Sequence, residues 1–368
     1  MKRVLILGAG NAQIDAIRYC KENNYEVYGC SYTNTDRGIP LLDNFKQIDI
    51  KDAEAVREYA EEIKADIVYS VGSDIAMPTV CKVNEDLGLP NFISSKIASI
   101  CQNKNILREY LGQDFVGNIE YISASTLEEA LSFDIYPCIM KPVDSQGQRG
   151  VYKINSKEEM EGFFNKSIEF SNSKKLIIER FIDGPEISVN AYVEDSVLKL
   201  CLVSDRIVFN ELPGGIIKEH IIPTSFANEN TVEKVRDLVE RTIKKLNINN
   251  GPVYFQIKLD GENPILIEVT PRLDGCHMWN LIKNYCGVDI LSASFEKLLF
   301  NKNADFKEDY KEGTYRLRFM CEKPHELFDR SKYNIDNNIY CEWYYENNDV
   351  VKPMNRYMEK CGYVIEVI

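Results

Sequence analysis

The first ten residues constrain the fold most. Arg3–Leu7 reads RVLIL, a continuous apolar run with no polar face, and Gly8-Ala9-Gly10 follows it directly. A strand that is apolar on both faces needs cover on both, which parallel sheets flanked by helices supply. The run therefore predicts a buried parallel strand turning into a helix from about Ala12 to Asn23. The alternation continues with a strand at Glu26–Cys30, a helix over Ala53–Ile63, a strand at Ile67–Ser70, a helix over Met77–Leu87 and a short strand at Asn91–Ile93. This is the signature of a doubly wound α/β sheet. Its loops after Gly8 and at Val71-Gly72-Ser73-Asp74 would open on the carboxyl-end crevice, where such sheets bind ligands.

The GxG turn invites a dinucleotide reading, but two features oppose it. Gln13 stands where the third glycine of that fingerprint belongs, and the second strand ends at Cys30-Ser31 without an acidic residue for a ribose. A tight turn accounts for the glycines more simply.

Composition narrows the partners. A net charge of -13 with no compact Lys/Arg run opposes nucleic-acid binding, which needs a positive field. No apolar run approaches the ~20 residues that span a bilayer. Eleven scattered cysteines, an odd number without a CxxC pair, fit free thiols in a reducing cytoplasm better than a zinc site or a disulfide framework. At 368 residues the chain has room for two or three domains with a cleft between them.

Phosphate-handling chemistry is suggested by Pro137–Val151, PCIMKPVDSQGQRGV. Lys141 leaves the end of an apolar strand, and a small-residue loop, Asp144 to Gly150, follows before a second strand. Gly147 and Gly150 can adopt angles that turn backbone amides toward an anion. Taken alone, a surface hairpin explains this stretch equally well. Upstream, a helix is predicted from Ser95 to about Leu111, carrying Lys104, and a capped helix over Thr126–Leu131; another follows over Ser156–Phe164. Lys175–Val193 reads as two strands joined near Asp183-Gly184-Pro185, with Glu179 and Glu186 seven residues apart across the turn. Thr231–Leu246 has the apolar spacing of a core-packed helix.

Gly251–Pro271 reads as a hairpin turning at Asp260-Gly261-Glu262-Asn263. The twelve-residue separation of Gln256 and Glu268 can place both on one face, with Thr270, Arg272 and His277 close behind. A carboxylate among Ile265, Leu266, Ile267 and Val269 needs a partner, and a divalent cation is a sensible one. A helix near Ile290–Phe300 and a Tyr-, Asn- and charge-rich tail from about Ala304 complete the chain. The tail contains strand-like TYRLRFM and YVIEVI.

In this order the motifs resemble those of the ATP-grasp superfamily, and the resemblance runs from the first strand to about residue 300. It implies an α/β and α+β architecture: a Rossmann-like preATP-grasp domain (1–95), a two-lobed ATP-grasp domain (96–303, small mobile lobe about 115–185) and a small C-terminal α+β appendage (304–368). By that resemblance Lys104 and Lys141 are the two phosphate-binding lysines, and Ser145, Gly147, Arg149 and Gly150 the loop that closes over the triphosphate. Glu179, Arg180, Phe181 and Ile182 form the adenine hinge, and Glu186 binds the ribose. Gln256 and Glu268 are the metal positions, the glutamine being similar to the carbamoyl-phosphate synthetase type, and Thr270 replaces a usual asparagine. Arg272, with Lys141 and Arg149, steadies the transferred phosphoryl group.

The implied cofactors are ATP and Mg2+, and the implied reaction is a cytoplasmic ADP-forming ligation of a small-molecule carboxylate, such as an amino acid or a sugar acid, to an amine. No nucleic-acid or membrane partner is implied, and a homodimer is one assembly open to such a chain. A bicarbonate-phosphorylating activity and a catalytically silent ATP sensor are the alternatives. Acceptor determinants are expected in the loops after Gly8 and Gly72, in Asp205–His220, near Asp274–His277 and in the C-terminal appendage.

Overall fold

The computed structural model describes residues 1–144, 150–212, 215–354 and 357–368. Its first unit comprises β1 (Arg3–Leu7), α1 (Asn11–Glu22), β2 (Glu26–Ser31), β3 (Asn44–Gln47), α2 (Ala53–Glu62), β4 (Ile67–Tyr69) and α3 (Met77–Leu87). The strands form a parallel sheet in the order β3-β2-β1-β4. Val4 to Leu7 are completely buried, as a strand covered on both faces requires. The fourth strand is β3, a short and largely exposed edge whose sequence NFKQ gave no signal, while the predicted strand at 91–93 is irregular. Gln13 folds back over the glycine turn: its Oε1 accepts from Gly10 N at 2.9 Å and its Nε2 donates to Val71 O. The space a dinucleotide phosphate would need beside that turn is thus filled by a side chain.

The predicted 95–111 helix is two helices, α4 (Ser95–Gln102) and α5 (Lys104–Leu111), separated at Asn103, whose backbone is extended (φ -107°, ψ 108°). A second sheet combines β5 (Tyr121–Ala124), β6 (Cys138–Pro142), β7 (Tyr152–Ile154) and β8 (Leu176–Arg180) in the order β5-β8-β6-β7. Helices α6 (Leu127–Leu131) and α7 (Lys157–Ile168) cover it. Thr126 caps α6 with a reciprocal bond from Glu129, the predicted capping box.

The third sheet has eight strands. It contains β9 (Glu186–Glu194), β10 (Val197–Val208), β11 (Ile217–Ile222), β12 (Gly251–Asp260), β13 (Asn263–Thr270), β14 (Tyr315–Glu322), β15 (Asn338–Trp343) and β16 (Glu359–Val367), ordered β13-β12-β9-β10-β11-β14-β16-β15. Helix α8 (Glu229–Lys245) packs on one face, and α9 (Met278–Cys286) and α10 (Ile290–Phe300) help cover the other. The two strands predicted over 175–193 do not pair with each other: β8 belongs to the small sheet and β9 to the large one, so Asp183-Gly184-Pro185 is a crossing between sheets. The residues after 304 extend the large sheet with β14, β16 and β15. Among the described residues no helix is long and apolar enough to span a membrane.

The two faces of this large sheet are chemically opposite. Ile187, Val189, Ala191 and Val193 of β9 and Val253, Phe255, Ile257 and Leu259 of β12 pack into one apolar core with α8. Their alternates turn the other way: Glu186, Ser188 and Asn190 on β9, Tyr254 and Gln256 on β12. Register carries this polar face across neighbouring strands, because Gln256 pairs with Glu268, Tyr254 with Thr270, Ser188 with Ser204 and Arg206 with His220. Ser188, Asn190, Ser204, Thr270 and His220 are all buried. A buried polar sheet face is expensive unless it serves a site.

The first unit docks onto this face through glycines. Gly72 N donates to Leu273 O at 3.2 Å, and a Cβ on Gly72 would lie 2.5 Å from Gly275 Cα. Gly72 also has φ +65°. Gly72→Ala should therefore lower stability by about 1–3 kcal/mol, whereas Gly162→Ala in the middle of α7, where added methyl meets open space, should raise it by about 0.4–1 kcal/mol. Paired thermal melts decide this; equal melting temperatures for the two variants would show that the Gly72 approach is not constrained.

Candidate active site

Four elements converge on the polar face. Lys104 stands at the start of α5, Lys141 near the end of β6, Glu268 on β13 and Arg272 just beyond it. Lys104 Nζ lies 3.3 Å from Glu268 Oε2. Arg272 is buried and binds Asp74 of the Val71–Asp74 loop through Nε at 2.7 Å, while its Nη1 donates to Leu273 O at 3.0 Å. The crevice loop picked out in the sequence thus meets the strand-end arginine directly.

Lys141 is fixed from below. Its ammonium is paired with Glu179 Oε2, and the other oxygen of Glu179 accepts from Arg108 Nε at 2.9 Å. Arg108, completely buried on α5, also donates to Ile267 O at 2.9 Å and so ties the helix to β13. Burial pushes the Glu179 carboxyl up, but Lys141 and Arg108 outweigh it and hold the group down at about 2. Burial, with Lys104 and Arg108 adding to it, lowers the Lys141 pKa against the pull of Glu179. Burial likewise raises Glu268, and Lys104 and Arg272 reverse the effect, leaving it below the usual carboxylate range.

Glu179 therefore has a side chain committed to the interior. In the rest of the predicted hinge, Arg180 N donates to Glu120 O and Phe181 N to Pro137 O, both at 2.9 Å, and Ile182 O accepts from Lys258 at 3.2 Å. The Arg180 guanidinium bridges Glu120 and Asp260 at 2.7 and 2.9 Å. Glu186 is joined to Gln256, whose Nε2 donates to its Oε1 at 2.6 Å, and to Arg206 of β10. Thr270 Oγ1 is buried and has no hydrogen-bond partner among the described residues. Ser145, Gly147 and Arg149 lie outside the described residues. The flanks of that segment are anchored: Asp144 accepts from Ser171 Oγ at 2.9 Å and Ser173 N at 2.8 Å, and Gly150 O accepts from Ser167 Oγ at 2.7 Å.

The oxygen donors fit a hard cation. Glu268 offers a partly exposed carboxylate, its register partner Gln256 an amide oxygen, and Thr270 an unengaged hydroxyl. Arg108 escaped the sequence reading, and Arg206, although inside the Asp205–His220 segment expected to carry acceptor determinants, was not singled out. The signal for Arg108 was present, because it follows Lys104 by one helical turn and so shares its face. That for Arg206 was not, since β10 and β11 were not recognised as strands. His277 is structural, with Nδ1 2.7 Å from Asp15, Nε2 2.6 Å from Tyr344 and its ring stacked 4.2 Å from that of Tyr363.

Residues 135–279 match the family model of the ATP-grasp domain. The chain carries an ATP-grasp domain. The chain aligns with phosphoribosylamine–glycine ligase of Methanocaldococcus jannaschii, 26% identical over 313 residues, covering 76% of this chain and 69% of the relative. It also aligns with human mitochondrial carbamoyl-phosphate synthase (ammonia), 22% identical over 210 residues, covering 56% of this chain but 14% of that much longer protein. The whole chain superposes on the L-amino acid ligase from Bacillus licheniformis with a TM-score of 0.80 at 18% identity, covering 100% of this chain and 93% of the other. The ATP-grasp fold thus extends beyond the matched segment, through the parallel N-terminal sheet and the C-terminal strands.

The Lys141–Glu179–Arg108 arrangement predicts a pH signature. Glu179 is held at about 2 against an ordinary 4.5, so its contribution to stability is complete above about 4.5 and fades as pH falls toward 2. Glu179→Gln should cost about 3–5 kcal/mol at neutral pH by leaving buried cations unpaired. It should also flatten the decline in stability between about pH 5 and about pH 3. Urea denaturation across that range checks both; an unchanged slope in the variant would remove Glu179 as its source.

Proposed function

We propose that the protein is an ATP-dependent ligase that activates a small-molecule carboxylate as an acyl phosphate and joins it to an amine, releasing ADP and phosphate. The observation that supports this best is the convergence of Lys104, Lys141 and Arg272 with Glu268 on one buried polar sheet face, inside an ATP-grasp fold. A carboxylate is a poor electrophile until one of its oxygens becomes a leaving group. Attack by a carboxylate oxygen on the γ-phosphorus, with ADP leaving, supplies this; amine attack at the acyl carbon then expels phosphate.

The protein's share of that chemistry is placement and charge neutralisation. Lys141, held rigidly by Glu179, would bind the α- and β-phosphates, and Lys104 the nucleotide from the other side. The small-sheet crossing at Arg180–Ile182 would hold adenine, and Glu186 the ribose, for which it must exchange its bond to Gln256 or Arg206. Arg149, with Ser145 and Gly147, would close over the triphosphate. Arg272, oriented by Asp74, faces the position where the acyl phosphate forms. Glu268, Gln256 and Thr270 would hold Mg2+, which supplies charge neutralisation to the phosphates when bound. Residues 96–303 are the nucleotide-handling unit in this reading, between a Rossmann-like unit at 1–95 and a C-terminal unit at 304–368. A glycine ligase and an amino acid ligase among the similar proteins support a carboxylate–amine pair.

ADP and phosphate release across a matrix of carboxylates and amines tests the reading, with turnover expected only when both are present. Glu268→Ala should cut kcat by at least about 100-fold while leaving nucleotide affinity within a few-fold, and Lys141→Met should weaken ADP binding by about tenfold or more. Wild-type-like turnover by Glu268→Ala at limiting magnesium would remove Glu268 from the metal site; tight ATP binding with no turnover for any pair would convert the protein into a nucleotide sensor.

A further inference from the structure

Beside Arg272 the polar face carries a second cluster of buried polar side chains. A His220 ring nitrogen, an Asp274 carboxylate oxygen and Cys276 Sγ lie within 4.8 Å of one another, all three residues buried. Among the described residues, neither ring nitrogen of His220 has a hydrogen-bond partner, nor does Asp274 Oδ2, nor Arg206 Nε on the residue paired in register with His220. His220 is 0% exposed and Asp274 7%. Buried polar groups are normally satisfied, so unpartnered donors and acceptors converging on one place point to a molecule that completes them.

Charge narrows its chemistry. Lys360 of β16 places Nζ 3.5 Å from Cys276 Sγ and 3.6 Å from the Phe319 ring centroid, and among the described residues neither Lys360 nor Asp274 is matched by an ion pair. The pocket therefore holds an anion and a cation that do not satisfy each other. His220, Asp274 and Cys276 are also a plausible metal ligand set. The ammonium of Lys360 beside the sulfur and the guanidinium of Arg206 nearby oppose a further dication there. A small organic ion bearing both signs has no net charge, so these cations oppose it far less than a dication.

Resting on the ligase reading above, we infer that this pocket binds an amino acid in its zwitterionic form, the ammonium on Asp274 and the carboxylate toward Arg272 and Lys360. Asp274 and Arg272 stand two residues apart in one loop, and both are buried. That geometry presents the carboxylate at the residue placed to steady an acyl phosphate. Burial lowers the His220 pKa to about 4, so at neutral pH the ring is uncharged and can donate from one nitrogen and accept at the other. Arg206 and Lys360 are partly exposed. An amino acid is thereby favoured over a sugar acid, which has no group for Asp274.

Saturation-transfer NMR on the full chain with ADP and magnesium, using the standard L-amino acids and their 2-hydroxy-acid and sugar-acid counterparts, tests this. At least one amino acid should bind about tenfold or more tighter than its 2-hydroxy analogue, because the latter leaves Asp274 unpaired. Asp274→Asn should abolish that preference and Lys360→Met should weaken amino-acid binding, with melting curves confirming that each variant folds. Equal binding of the hydroxy or sugar acids, no amino-acid binding, or a preference that survives Asp274→Asn overturns the inference. One zinc per chain by elemental analysis, lost in His220→Ala, does so as well. Amino-acid binding of the expected kind without turnover for any carboxylate–amine pair upholds the pocket and sinks the ligase reading; turnover with sugar acids alone does the reverse.

Discussion

The site depends on a buried carboxylate. Glu179 lies between Arg108 and Lys141, and those three residues come from β8, α5 and β6, while Arg108 reaches on to the backbone of β13. Burying three ionised groups is costly, and replacing such a cluster with apolar residues often stabilises a protein. Its retention makes sense if position matters more than stability. A lysine on a flexible stem is a poor phosphate ligand until its stem is immobilised, because each freed rotamer dilutes the bound geometry. Glu179 removes that freedom, and Arg108 removes it from Glu179.

The same division of labour extends to the large sheet. One face of β9 and β12 is a dry aliphatic core; the other carries buried serine, asparagine and tyrosine beside half-buried glutamine and glutamate. Strand alternation makes this separation almost automatic, since a single register fixes which residues face which way. The apolar face anchors the sheet against α8, and the polar face can then hold groups that would destabilise a free-standing core. Rigidity on one side is what allows incomplete hydrogen bonding on the other.

How much of this was legible follows the range of the interactions. The β12–β13 hairpin was readable because its turn residues are local, but the register set at Asp260–Asn263 would pair Gln256 with Ile267, and a one-residue bulge there is what brings Gln256 opposite Glu268. The first parallel unit was readable from RVLIL and the glycine turn. Glu179 was assigned to a nucleotide hinge, yet its side chain is internal, because the partner that claims it stands 71 residues earlier in the chain. β10 and β11 were missed since VLKLCLVSDRIV and IKEHII draw their definition from neighbouring strands rather than from turns. Asp74 was named only as part of a loop; its pairing with Arg272 spans 198 residues and no local pattern encodes it.

Charge balance indicates how the site can accept a polyanion. Each of the three central cations meets a carboxylate: Lys104 with Glu268, Lys141 with Glu179, Arg272 with Asp74. These pairs are not equivalent. Lys104 and Glu268 are separated by 3.3 Å with side chains 38% and 24% exposed, a geometry in which water competes and the net attraction is small. Glu179 is 5% exposed and held from two sides, so it cannot leave. A cation that took Glu268 would therefore free Lys104 at little cost, while Lys141 would stay in place. Metal and nucleotide would then assist each other through a carboxylate that exchanges one positive partner for another, on a frame that the buried carboxylate keeps from moving.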